Sequence, residues 1–290
     1  MKVSIERAAL ARAVAQAQSV VERRQTIPIL GNVLIDAQGA GVTFRATDLD
    51  VEVIDQAPAE VAQPGATTVP AVMLNEIVRK LPEGALVTLS TQQGAAGRLT
   101  IAAGRSTFQL ATLPADEFPN MASPDYTTTF EAPAGLLRRL FDKAKFAIST
   151  EETRYYLNGV YLHVAQGAEG GPVLRAVATD GHRLARIDAP LPEGAQGMPG
   201  VIVPRKTVAE LRKLLDDDGA TIRVSVSETK IRFETPAIQL TSKVIDGTFP
   251  DYARVIPQGN PRRMEGDAKE FAAAVDRVAT VSSERSRAVK

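Results

Sequence analysis

The sequence predicts an α+β protein built from tandem repeats. Three observations predict it: markers that recur at one spacing, apolar stripes at helical period, and short alternating runs between glycine-rich turns. Thr47-Asp48 returns as Thr179-Asp180, an offset of 132. Val69-Pro70 returns as Val203-Pro204 at an offset of 134, and Phe118-Pro119 as Phe249-Pro250 at 131. Each marker is only a dipeptide, but three in the same order at nearly one spacing indicate a duplicated unit. A third copy starts after Pro250, where Arg287 falls 133 positions after Arg154. Completing it at this period takes on the order of 80 further residues, so the sequence reads as stopping inside its third repeat.

Each complete repeat opens with a helix, carried by Leu10, Val14, Ala17 and Val21 in the first copy. In the second copy Leu136, Leu137, Leu140, Phe141, Ala144 and Ile148 carry it, at three-to-four spacing. Strand runs follow at 33–35, 42–44 and 51–53, then at 160–162 and 173–177, broken by turns at 39–41 and 167–171. A second helix begins at each Val-Pro marker, with the proline in the first turn, where a missing N–H costs nothing. Leu74, Ile77, Val78 and Leu81 form its apolar face in one copy, and Val208, Leu211, Leu214 and Leu215 in the other. Two helices segregated from many antiparallel strands make each unit α+β. The units are predicted at 1–121 and 127–250, with a partial third at 256–290.

Composition narrows the chemistry. Apolar residues make up 44% and charged residues 23% of the 290, an ordinary globular balance that argues against disordered and fibrous classes. No run of 18 apolar residues and no basic-then-apolar leader appears, which points to a cytoplasmic protein. With no cysteine there is no disulfide or thiolate chemistry, and His163 and His182 are too few for a histidine-rich metal site. No cofactor is implied.

The net charge is zero, from 34 basic and 34 acidic residues, yet its distribution is uneven. Predicted helices 5–19 and 71–81 each carry a net +1, and helices 136–148 and 205–215 each carry +3. Basic helices over a more acidic remainder suit a protein that holds a phosphate backbone without reading bases. Lys and Arg also serve simply to solvate helix faces. The partial helix 267–280 sums to −1 and does not extend the pattern.

Asp180, His182 and Arg183 have the residue types of an acid–base cluster, and a hydrolase using Asp180 and His182 is one reading. No nucleophile elbow, zinc motif or phosphate loop accompanies them, and Asp48 in the first copy has no histidine after it. Turn formation by Thr179 and Asp180 is the other reading. Tyr155 and Tyr156 sit beside Arg154, and in an extended segment one of the two must face away from the core, where it can stack on a base or sugar. Arg23 and Arg24 occupy the analogous loop of the first copy.

The segments QTIPILGNVLI, GATTVPA, RYYLNG, VATDGHRLA, VIVPRK and FPDYARVIP resemble, in order and across the whole chain, those of the bacterial DNA polymerase III beta subunits, the sliding-clamp family. The resemblance implies tandem clamp-fold domains, each with two helices packed on antiparallel sheets. It also implies a non-catalytic processivity factor of DNA replication: a head-to-tail homodimeric ring around double-stranded DNA, lined by helices. Implied DNA contacts are Arg24, Arg154, Tyr155, Tyr156, Arg205 and Lys206. The chain departs from the family at Val72, where a basic residue is usual, and at Glu151, where glutamine is usual. An implied client-peptide pocket comprises Leu157, Thr179, Gly181, His182, Arg183, Leu184, Pro250, Arg254 and Val255. Phe108, Leu110 and Val281 fall at the implied subunit interface. Implied partners are the clamp loader, the polymerase alpha subunit and other clients carrying a clamp-binding motif. A DNA-binding scaffold that forms no ring is the alternative from the charge pattern alone.

Overall fold

A computed structural model describes residues 1–22, 26–91, 97–122, 124–215 and 217–281. The chain divides into two compact units, Met1–Phe249 and Pro250–Lys290. The first contains both complete repeats.

Repeat one runs β1 (Lys2–Glu6), α1 (Arg7–Val20), β2 (Asn32–Gln38), β3 (Gly41–Thr47), β4 (Val51–Pro58), β5 (Glu60–Gln63), β6 (Gly65–Pro70), α2 (Ala71–Lys80), β7 (Leu86–Thr91), β8 (Arg98–Ala103) and β9 (Ser106–Ala111). Repeat two runs β10 (Thr128–Pro133), α3 (Ala134–Ala144), β11 (Gly159–Gln166), β12 (Pro172–Thr179), β13 (Leu184–Pro190), β14 (Val201–Pro204), α4 (Arg205–Leu214), β15 (Thr221–Val226), β16 (Lys230–Glu234) and β17 (Ile238–Lys243). The predicted helices are present in this order.

Two local expectations need correction. Each repeat opens with a strand and not a helix: β1 and β10 precede α1 and α3. In β1 only Val3 and Ile5 mark the alternation, too short a pattern to register beside a helical stripe. Pro70 and Pro204 do not lie in the first helical turn either. They hold extended backbone (φ −55, ψ 114 and φ −59, ψ 149) and end β6 and β14 just before α2 and α4. Both strands end their sheets, where proline's missing N–H removes no ladder bond.

The strands form three sheets, in the orders β5-β1-β7-β8-β9, β10-β15-β16-β17-β4-β3-β2-β6 and β13-β12-β11-β14. The middle sheet is shared: β17 of repeat two pairs antiparallel with β4 of repeat one, Leu240 opposite Val53. The repeats are therefore distinct in sequence but continuous in hydrogen bonding. Their cores follow the same logic. Leu10, Val14, Phe44, Leu74 and Ile101 pack in one cluster. Leu137, Leu140, Leu162 and Phe233 pack in the other, which also takes in Val20, Val51 and Val53 from repeat one. Burial of those three valines contributes roughly 1.5–3 kcal/mol each, so the junction carries core energy as well as ladder bonds.

In the second unit α5 (Ala268–Ala279) is capped by Asp267, whose Oδ1 accepts from the N–H groups of Lys269 and Glu270, both at 2.9 Å. Phe271 and Val278 are exposed along it. Among the described residues no helix is long and apolar enough to cross a membrane.

Candidate functional site

The two Thr-Asp markers build the same turn twice. Thr47 Oγ1 accepts from Leu49 N–H at 3.0 Å and donates to the carbonyl of Val51 at 2.9 Å. Thr179 Oγ1 does the same with Gly181 N–H at 3.1 Å and the Arg183 carbonyl at 2.8 Å. Asp48 Oδ1 accepts from the N–H groups of Asp50 and Val51 at 2.9 and 2.7 Å. Asp180 Oδ1 accepts from those of His182 and Arg183, both at 3.0 Å. These bonds are the turn chemistry that short polar side chains supply.

The remaining oxygen of each aspartate has a different partner. Asp180 Oδ2 accepts from Arg183 Nε at 2.8 Å, within the same turn. The backbone N–H groups of Arg183 and His182, followed by this guanidinium, hold Asp180 down at about 2. A carboxylate so stabilised is a poor proton acceptor near neutrality, and both its oxygens serve backbone and arginine. Asp48 Oδ2 instead accepts from Lys206 Nζ, which arrives from repeat two. The same ammonium donates to the carbonyl of Val20 at 3.0 Å and to Glu22 Oε1 at 3.2 Å. Lys206 titrates above its usual range: burial opposes this, but hydrogen bonds and charge from Asp48 and Glu22 outweigh it.

Of the residues implied as DNA contacts, Arg205 is exposed at the start of α4, one position before Lys206. Tyr155 is 54% exposed, and its ring meets Tyr156 edge-on at 5.8 Å between centroids. Arg154 Nη2 and Nε donate to the two carboxylate oxygens of Glu151 at 2.6 and 2.9 Å. The guanidinium also lies against Gly181, where an added Cβ would stand 2.5 Å from Nη1. Arg24 lies outside the described residues. Other cations on the helices are answered locally: Arg138 by Asp218, Lys145 and Arg212 by Asp142, and Lys213 by Glu210. Asp142 and Glu210 are already subtracted in the helical counts, whereas Asp218, Asp48 and Glu22 lie outside those helices, so the helical charge excess that the sequence displays is partly cancelled in space.

Of the implied client-pocket residues, Leu157 is buried at 4% exposure, Thr179 and Leu184 are half-buried, and Gly181, His182 and Arg183 are exposed around the turn. Arg183 also lies over the ring of Phe146, 5.7 Å from its centroid, a neighbour the sequence did not suggest. Pro250, Arg254 and Val255 belong to the second unit. There the turn Tyr252–Val255 is capped by Asp251, which also pairs with Arg254 at 2.8 Å, and Val255 is exposed.

Of the implied interface residues, Phe108 is 39% exposed on β9, whereas Leu110 is buried in the core of repeat one. Val281 follows α5 and is exposed.

Residues 1–122 match the family described as DNA polymerase III beta subunit, N-terminal domain, and residues 131–251 match its central domain. A beta sliding clamp of Caulobacter vibrioides is 57% identical over 291 residues, covering all of this chain and 77% of that protein. That of Pseudomonas aeruginosa is 39% identical over 293 residues, with the same two coverages. In three dimensions the chain is similar to a Caulobacter crescentus beta sliding clamp crystallised with PEG, at a TM-score of 0.94 and 57% identity over 98% of this chain and 75% of that one. It is also similar to a Bartonella birtlesii sliding clamp, a DNA polymerase III subunit beta bound to griselimycin, at a TM-score of 0.93 and 47% identity over 99% and 76%.

Proposed function

The chain belongs to the beta-subunit family of DNA polymerase III, the beta sliding clamps, and from that membership we propose that it works as a ring that encircles duplex DNA and tethers the replicative polymerase to it. The observation that carries the ring is the pairing of β17 with β4 across the two repeats. By the repeat offset, β9 is the counterpart of β17 and β13 the counterpart of β4. Each of these ends its sheet. A third repeat would meet β13 with its last strand and would offer its own β4-type edge to β9 of a second subunit. Repeating one heterologous contact in this way closes a ring, and closure removes the exposed strand edges.

In this reading the domains are 1–121, 127–250 and a third from 256, with Phe108, Leu110 and Val281 near the subunit contact. Arg24, Arg154, Tyr155, Tyr156, Arg205 and Lys206 face DNA. Their contacts need only be weak and sequence-independent, because the topological link and not local affinity keeps the ring on its track. Leu157, Thr179, Gly181, His182, Arg183 and Leu184 receive the short linear motifs of the polymerase alpha subunit and other clients. A clamp loader opens the ring. The protein acts in the cytoplasm and carries out no chemistry itself, a view supported by the engagement of both Asp180 oxygens.

Retention on DNA tests this. The loaded ring is expected to remain on a nicked circle and to be lost when the circle is cut to a linear duplex with free ends. Equal retention on both forms would overturn it.

A further inference from the structure

A groove beside the first Thr-Asp turn is lined by none of the residues assigned above to DNA, client or subunit contacts. It has a volume of about 360 Å³, and Thr47, Leu49, Pro119, Met121, Lys230 and Lys243 line it. We infer that it is a docking site for a short peptide that presents an aliphatic side chain next to a carboxylate.

The apolar half of the groove starts at Leu49. Among the described residues it is the only non-glycine with positive φ, at 79°. In repeat two the same position of the same turn is Gly181, with φ 88°. Glycine takes that conformation without strain and leucine does not. The turn's hydrogen bonds are complete in both copies, so the geometry does not require a leucine. What leucine adds is an isobutyl group, 42% exposed, at the mouth of a groove that Pro119 and Met121 continue. Strain retained at one position of a repeated turn is where a binding role is to be sought.

The charged half comes from sheet register. Lys230 begins β16 and Lys243 ends β17, and the two are directly opposed across the ladder. Like charges in that position repel unless an anion stands between or beside them. Lys243 has Asp50, at 2.9 Å. Lys230 donates to the carbonyl of Ala122, a neutral acceptor, and interacts with Glu52, a buried carboxyl whose ionised form burial disfavours, so its charge is only partly answered. A ligand carboxylate at the rim would bridge the pair, while the adjoining side chain packs on Leu49 and Met121. The groove lies in Met1–Phe249, around the first copy of the turn, so its occupancy can be told from that of the pocket proposed around Gly181.

The test is a titration followed by amide chemical shifts of the 290-residue chain, with the acetylated peptide amide Ala-Leu-Glu-Ala and its Ala-Leu-Gln-Ala counterpart as probes. The glutamate peptide is expected to shift residues 47–51 and 120–122 saturably at millimolar concentration. Glu→Gln in the peptide, or Lys230→Met in the protein, is expected to weaken binding about fivefold. Leu49→Gly keeps the turn, as Gly181 does, and is expected to weaken it comparably. Unchanged affinity across these variants, shifts confined to residues 179–184, or no saturable shifts at all would each overturn the proposal. The second of those results would leave the pocket around Gly181 standing.

Discussion

β9 and β17 are the same strand in two repeats, and they meet opposite environments. Phe108 lies across from Ile101 as Leu240 lies across from Phe233, both at an offset of 132. Leu240 is fully buried because β4 covers it, whereas Phe108, on a strand that ends its sheet, is 39% exposed. The difference shows what a junction adds to an otherwise equivalent edge: a ladder partner and a share of the neighbouring core.

Substitution of this pair should separate the two environments most sharply. Leu240→Ala leaves a cavity at the junction and should lower unfolding free energy by about 2–5 kcal/mol in urea titrations. Phe108→Ala should cost the isolated chain about 0.5 kcal/mol or less, while lowering dimer affinity of the complete protein in sedimentation. Equal losses of chain stability from both would mean that the exposed edge is no edge at all.

The junction should also respond to pH through β4. Asp55 lies opposite Ile238 of β17, with Arg12 Nη2 3.2 Å from its Oδ1. Burial lifts its carboxyl to about 6 from the ordinary 3.8, although Arg12 pulls the other way. Burial likewise raises Glu52 on the same strand. The folded chain thus holds a proton on Asp55 that the unfolded chain has already released. Stability from this group is full below about pH 4 and is lost as pH rises through about 6, by about 3 kcal/mol in all. Asp55→Asn should flatten that part of the stability curve. A wild-type curve that rises with pH across the window would refute the assignment.

Smaller effects should distinguish neighbours on α4. Lys206→Met removes the ammonium that joins Asp48, Glu22 and the Val20 carbonyl, and should cost about 1–2 kcal/mol by thermal denaturation. Arg205→Ala should leave the melting temperature nearly unchanged and reduce the slope of log affinity against log salt on DNA by about 0.9. If the two variants exchange these signatures, Arg205 is the structural residue and Lys206 the free cation.

Much of the fold was legible because it rests on local periodicity. The stripe Leu137, Leu140, Phe141, Ala144 is a helix wherever it is placed, and the Thr-Asp dipeptides carry their turn in their own side chains. Short strands were less legible: two alternating residues in β1 acquire meaning only from β5 and β7 on either side. The candidate site was legible as residue types in a pattern, chiefly through family resemblance. Its pairings were not. Nothing near Lys206 in the chain points to Asp48, and nothing near Arg138 points to Asp218.

By itself, then, the sequence determined the repeat, the helices, the two turns and the family. The tertiary structure decided which of two equivalent strands is covered, which aspartate is answered from across the junction, and which helical cations remain exposed. The physical reason is range. Helical stripes and turn bonds act over a few residues, whereas the partner of a charge or a strand edge is set by where the chain returns after 70 residues or more.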